Sequence, residues 1–175
     1  MLTVGEDSYV TTEQATEYIT GHYPSTDARA AAWEEMQEAD QEIYLRRACE
    51  SLSRLNYRGM TFEALQKLPF PRYFYPDGVM AYRELIAPLS YIYPELAGVP
   101  DDIRAAQIEE AFEMACPSAD TEKYETINGA VSSYSIGHLS ETFNTAGAAT
   151  IQAVLRSGAA QKLVEQYVGG SYDIL

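Results

Sequence analysis

Positive charge is scarce in this chain, and cysteine, histidine and long apolar runs are scarcer still. Lys and Arg number 12 against 26 Asp and Glu, a formal net charge of −14. Such a field repels phosphate, so attachment to nucleic acid through its backbone is disfavoured. It suits a surface past which DNA slides without being held, and it also keeps an abundant protein soluble. The two cysteines, Cys49 and Cys116, fall on two different predicted helices, outside any Cys-x-x-Cys pair and away from both histidines. That spacing gives no zinc site and leaves two small buried thiols of a reducing compartment. No stretch of about 18 apolar residues occurs, so no membrane-spanning helix and no membrane partner are expected. Residues Met1–Asp7 lack the basic flank and apolar core of a secretion signal. The expected compartment is the cytoplasm or a particle assembled there.

Catalytic patterns are missing too. His22 and His138 each sit beside a glycine in predicted loops, with no nucleophile at motif spacing and no Gly-x-Ser-x-Gly elbow. Phosphate-cradling glycine patterns are absent, since Gly169-Gly170 ends a helix rather than opening one. Glu34-Glu35 and Glu109-Glu110 are adjacent on predicted helices, where neighbours point about 100° apart and do not converge on one bond. Asp101-Asp102 fits the dipole of a helix start. No catalytic residue, cofactor or metal is expected; an enzyme reading would begin at His138 beside Glu141.

What is present reads as one domain over residues 1–175, without repeats, low-complexity tracts or linkers. After an extended Asp7–Val10, Thr11 and Gln14 form a capping-box pattern for a helix running to about Thr20 and stopping at Gly21. Asp27 caps an Ala-rich turn carrying Trp33. A long amphipathic helix starts near Asp40, with Ile43, Ala48, Leu52 and Leu55 near one face, Glu42–Arg46 and Glu50–Arg54 as ion pairs, and Gly59 as its C-cap. Pro100 and Asp101 open a helix that Pro117 ends. Its Ile103, Ala106 and Met114 make one apolar face and its Ala105, Ile108 and Phe112 another, leaving Asp102, Glu109 and Glu113 as a narrow polar stripe. Such a helix belongs at the centre of a bundle. Asn128-Gly129 predicts a hairpin between 124–127 and 130–136, with a further turn at Gly137. Two helices follow, Thr145–Arg156 and Gly158–Val168, the second capped by Ser157. The fold class is therefore mainly α: a small bundle of about four to five helices with a short β-hairpin or extended loop and an extended C-terminal tail.

Tyrosine stands out with 14 copies, a residue enriched at interfaces because it supplies area and a polar tip at low entropic cost. The middle third is broken by Pro69, Pro71, Pro76, Pro88 and Pro94 and holds Phe70, Tyr73, Phe74, Tyr75, Tyr82, Tyr91 and Tyr93. A connection this aromatic is expected to pack on its own core or on a neighbouring subunit.

Several of these pieces occur in a familiar order. They are Ser8-Tyr9-Val10-Thr11, Trp33, the helix ending Tyr57-Arg58-Gly59, the run Gln66-Lys67-Leu68-Pro69-Phe70-Pro71-Arg72 with Asp77-Gly78, and Val99-Pro100-Asp101-Asp102-Ile103. Together they resemble the head–tail connector, or head-completion adaptor, proteins of tailed phages, a family often labelled DnaT-like single-stranded DNA-binding protein. The resemblance implies a structural virion protein of the neck, not an enzyme, assembled in the host cytoplasm. It implies a ring of about a dozen neighbouring copies, a dodecamer, between the portal protein and a downstream stopper or tail-completion protein. DNA would pass through its lumen without specific binding. It further implies that Pro71 and Arg72 fix the inter-helix loop, Arg72 by bonding backbone carbonyls or a helix C-terminus. The surfaces touching neighbours would include the aromatic run Tyr73, Phe74 and Tyr75, the hairpin residues Tyr134 and Ile136, and a docking tail over 170–175 with Tyr172, Ile174 and Leu175. The alternative, a single-stranded DNA-binding protein of the replication kind, needs a basic groove interleaved with aromatics. Only Arg46, Arg47, Arg54 and Arg58 cluster, on one helix beside Glu42 and Glu50. An acidic DNA mimic would account for the charge but not for the resemblance.

Overall fold

The computed structural model describes residues 1–73, 98–119, 133–136, 139–142 and 154–168, and among these residues it holds five α-helices and two short antiparallel ladders. The first helix, α1 (Thr12–His22), opens on the expected capping box: the Thr11 hydroxyl accepts the Gln14 N–H, and the Gln14 side chain accepts the Thr11 N–H. It runs through Gly21 to His22, and the extended Tyr23 caps it ahead of Pro24. One glycine inside a helix costs too little to end it when the next turn packs; the proline is what stops it. Asp27 caps α2 (Ala28–Glu35) by accepting the Arg29 N–H.

The third helix, α3 (Glu38–Ser53), departs from expectation at both ends. Gln37 is its N-cap and Arg54 its C-cap, while Gly59, at φ 78°, turns the chain into β1 (Met60–Thr61). Its buried face is Gln41, Leu45, Ala48, Cys49 and Leu52, whereas Ile43 is 48 % exposed. The reason is angular: Ile43 lies about 140° around the helix from Ala48 and about 200° from Leu45. Glu42 and Arg46 serve the N-terminal segment: Glu42 accepts the Leu2 N–H at 3.2 Å and Arg46 pairs with Asp7 at 3.2 Å.

At the centre lies α4 (Asp101–Ala115), opened by Pro100 and closed at Cys116 ahead of Pro117. It packs most extensively against α3 and against α5 (Gly158–Val164), and also touches α1. Every residue from Ala106 to Glu113 is buried, the expected polar stripe at Glu109 and Glu113 included. Ser157 caps α5 by accepting the Ala160 N–H, and a 3₁₀ turn (Glu165–Tyr167) follows where a longer helix was expected. Residues 155–157 are not helical, so a helix ending at Arg156 is corrected there; the rest of that segment, 145–153, lies outside the described residues.

Strand β1 pairs with β2 (Arg72–Tyr73) in the register Met60↔Tyr73 and Thr61↔Arg72. Strand β3 (Ser133–Ile136) pairs forward with β4 (Leu139–Thr142), Tyr134 opposite Glu141 and Ile136 opposite Leu139. The expected turns at Gly137 and at Asn128-Gly129 both lie outside the described residues. Trp33, Phe112, Leu45, Leu52, Ile103 and Ile19 fill one shared core, with the Trp33 and Phe112 rings edge to face at 6.2 Å. Cys49 and Cys116 are both buried. Burial pushes the Cys49 thiol up to about 12 and raises that of Cys116, so neither is a reactive thiolate.

Candidate functional site

The loop that joins β1 to β2 is built around Arg72. The chain leaves α3, turns at Gly59, and returns through Leu68-Pro69-Phe70-Pro71, with a cis bond between Phe70 and Pro71. Pairing across β1 and β2 aims the Arg72 guanidinium back across the loop. There it donates to the carbonyls of Tyr57 at 3.2 Å, Arg58 at 3.0 Å, Gly59 at 2.9 Å and Pro69 at 3.3 Å. Three of these carbonyls, at 57–59, lie beyond the end of α3, where no helix partner awaits them, the fourth lies on the returning chain, and a planar five-donor fork can serve several at once. Burial lowers the guanidinium pKa without threatening its charge, and its carbon lies 5.9 Å above the Tyr57 ring. Gln66 ties the remainder: its Oε1 accepts the Glu63 N–H, and its Nε2 donates to the carbonyls of Leu68 and Pro71.

Phe70 plugs the loop into the core. Its ring meets Tyr57 at 4.8 Å, Tyr167 at 5.8 Å and Tyr9 at 6.3 Å, all edge to face, and its N–H donates to the Tyr9 hydroxyl. The Tyr57 hydroxyl is buried without a hydrogen-bond partner among the described residues. From the other side, Arg58 N–H donates to the Tyr167 carbonyl at 2.8 Å and Tyr57 bridges to Val168. One short backbone segment, 57–59, is thus gripped by Arg72 and by the end of the described C-terminal segment.

A second constellation lies along α4, whose buried polar side chains each bind a different element. Gln107 holds the N-terminal segment, accepting the Tyr9 N–H and donating to Ser8 and to the Leu45 carbonyl. Glu109 accepts the hydroxyls of Tyr18 at 3.2 Å and Tyr23 at 2.6 Å. Glu110 accepts the backbone N–H groups of Arg156 and Ser157 ahead of α5; its burial raises its carboxyl pKa, against the pull of those two N–H groups. Glu113 pairs with Arg29 at 2.6 Å and accepts the Ser118 N–H. Sequence reading missed these roles because a glutamate under a partner and a glutamate in water look alike in a helical pattern. The one available signal was that too few polar residues remained for a solvent face.

These groups staple the fold; they do not converge on a reacting atom. His22 stacks on Tyr18 at 3.8 Å and contacts its carbonyl, and His138 lies outside the described residues. Among the described residues no group of three His, Cys, Asp or Glu could hold a metal ion, and no helix is long and apolar enough to cross a membrane. Of the expected interface residues, Tyr73 ends β2 and Tyr134 and Ile136 lie in β3. Phe74, Tyr75, Tyr172, Ile174 and Leu175 lie outside the described residues, as does the tail over 170–175.

The phenol network makes the protein sensitive to alkali. Burial, reinforced by Glu109, pushes Tyr18 up to about 12 and Tyr23 higher; burial with Asp102 pushes Tyr167 to about 12. Unfolded phenols ionise near pH ~10. The folded state therefore holds protons that the unfolded state has lost, and stability falls as pH rises from about 10 through 12 and beyond. Absorbance titration near alkaline pH should show these phenols ionising late. In Glu109→Gln, Tyr18 and Tyr23 should move part of the way back toward 10 while Tyr167 stays; equal titration of all three in the variant and the wild type would refute the assignment.

No curated protein and no solved structure matches the chain. A family described as "Putative DnaT-like ssDNA binding protein" matches residues 2–174, all but one residue at each end, and the chain belongs to that family.

Proposed function

We propose that this chain is a structural ring subunit of a tailed-phage neck, an adaptor between the portal protein and the stopper or tail-completion protein below it. In this reading it works in the virion, after assembly in the host cytoplasm, and performs no catalytic step. Neighbouring copies, about a dozen, continue the DNA channel. The observation that carries the reading is where the positive charge goes. Among the described residues Arg29, Arg46, Lys67 and Arg104 pair with Glu113, Asp7, Glu6 and Asp101, and Arg72 is spent on carbonyls. Exposed Arg47, Arg54 and Arg58 follow one another along α3 and its exit, interrupted by exposed Glu50, and exposed Arg156 and Lys162 belong to a different element, just before α5 and within it. Among the described residues, exposed basic charges divided between elements on a chain of net −14 make poor footing for a phosphate backbone, which is held by a continuous basic groove. The same excess of acid suits a wall that DNA slides past.

The family description favours a second reading, single-stranded DNA binding. One experiment separates the two: the solution mass of the full chain, alone and with the portal protein of its phage, beside titration with a fluorescent single-stranded oligonucleotide. The adaptor reading expects a ring-sized assembly, alone or on the portal, and oligonucleotide binding no tighter than about 10⁻⁴ M at physiological salt. A chain that stays monomeric with the portal and binds the oligonucleotide tightly, with a steep salt dependence, overturns it.

A further inference from the structure

A fully exposed leucine on a rigid turn and a shallow, partly apolar depression with charged flanks occur on different parts of this chain. Leu65 is 94 % exposed, yet the turn that carries it is held from several sides. Gln66 bonds the backbone at Glu63, Leu68 and Pro71, and Phe62 N–H donates to the Pro71 carbonyl. The depression, of about 300 Å³, is lined by Met36, Asp40, Ile43, Tyr44 and Arg47 where α2 gives way to α3. Met36, Ile43 and Tyr44 give it an apolar part, about half of the lining, and Asp40 and Arg47 supply one charge of each sign.

We propose that the Glu63–Lys67 turn of one copy docks into this depression on a second copy, Leu65 filling it. The inference rests on the ring reading above and names the contact that builds the ring. Leu65 does not fill the depression of its own chain, since it is almost wholly in solvent. The charges match as well as the apolar parts do: Glu63 precedes the leucine and Lys67 follows it, facing Arg47 and Asp40 across the contact. The Lys67–Glu6 pair, exposed at both ends, is weak enough to exchange. A pre-ordered turn loses little freedom on docking, the condition under which a single apolar anchor dominates an interface. Because turn and depression are different surfaces, the contact is head-to-tail and repeats until it closes into a ring or runs on as a filament.

The test is the solution mass of the full-length protein over a range of concentrations, alone and with the portal protein. Leu65→Asp should weaken assembly about tenfold or more. Glu63→Arg and Arg47→Glu should each weaken it, and the two together should restore it, because the reversed pair meets again between copies. The side chains are exposed, so each variant should melt like the wild type; the pairwise rescue also excludes a merely structural effect. Wild-type-like assembly of Leu65→Asp, or a double variant no better than its worse parent, overturns the docking while leaving the ring reading intact. A wild type that assembles under no condition overturns both.

Discussion

Replacing Gln107 with leucine is expected to cost about 2–6 kcal/mol of folding stability, because the change keeps the volume and removes three hydrogen bonds at once. Gln107 is fully buried. Its Oε1 accepts the Tyr9 N–H, and its Nε2 donates to the Ser8 hydroxyl and the Leu45 carbonyl, all at 2.8 Å. Of these partners the Tyr9 N–H suffers most. Tyr9 is buried and lies outside any helix or named strand, so its amide has no ladder to fall back on. Ser8 and Leu45 fare better, because the Ser8 hydroxyl still donates to the Val10 carbonyl and the Leu45 carbonyl still sits within α3. An orphaned buried amide costs about 1–3 kcal/mol, and the two lost bonds to Nε2 add about 0.5–1.5 kcal/mol each. Urea denaturation should show the midpoint falling with an unchanged slope, while Leu65→Ser, at a fully exposed position, stays within about 0.5 kcal/mol of wild type. A loss below about 1 kcal/mol would mean that the N-terminal segment is not fastened through Gln107.

The same residue shows where sequence reading succeeds and where it stops. The caps were legible: Thr11 with Gln14, Asp27 and Ser157 each use a local hydrogen bond that a few residues of sequence specify. The central placement of α4 was legible too, because Ile103, Ala106, Ile108 and Phe112 together leave no wide polar face. What was not legible is long-range pairing. Gln107 meets Ser8 and Tyr9 nearly a hundred residues away, and no spacing rule predicts that a buried glutamine will find a chain terminus rather than water. Ile43 failed for a different reason: four apolar residues scattered over 43–55 look like one face until the angles are added, and Leu45 and Cys49 then define the true one. Gly59 carried a correct signal with a wrong role, since its positive φ serves the turn into β1 rather than the end of α3. At the Arg72 loop the residues alone offered proline stiffness and a lone arginine, and the expectation that Arg72 bonds backbone carbonyls came from the family resemblance. Which carbonyls that arginine serves depends on the β1–β2 register, which nothing local specifies.

Arg72→Ala is the second change with a large expected effect, a loss of about 2–4 kcal/mol, and Arg72→Lys should recover little of it. The argument turns on geometry rather than on charge. Among the described residues no carboxylate pairs with Arg72; its partners are the carbonyls of Tyr57, Arg58, Gly59 and Pro69, shared among the nitrogens of one planar guanidinium. A lysine ammonium keeps the charge, but as a point with three donors on a flexible stem it reaches one or two of these carbonyls and leaves the rest, three of the four bonds being part-buried, without its donors. The damage should also travel in a predictable direction. Segment 57–59 is held on its other side by the Tyr167 carbonyl and the Val168 bridge, so loosening it releases the end of the C-terminal segment before it touches α1 or α2. Amide exchange should therefore quicken first at Arg58, Phe62 and Val168, while Ile19 and Trp33 in the core exchange as in the wild type. If Arg72→Lys matches the wild type in both melting temperature and exchange, the loop is held by its positive charge alone. If alanine and lysine fail alike, the planar fork is what closes the loop and, through Tyr57 and Arg58, holds Tyr167 and Val168 in place.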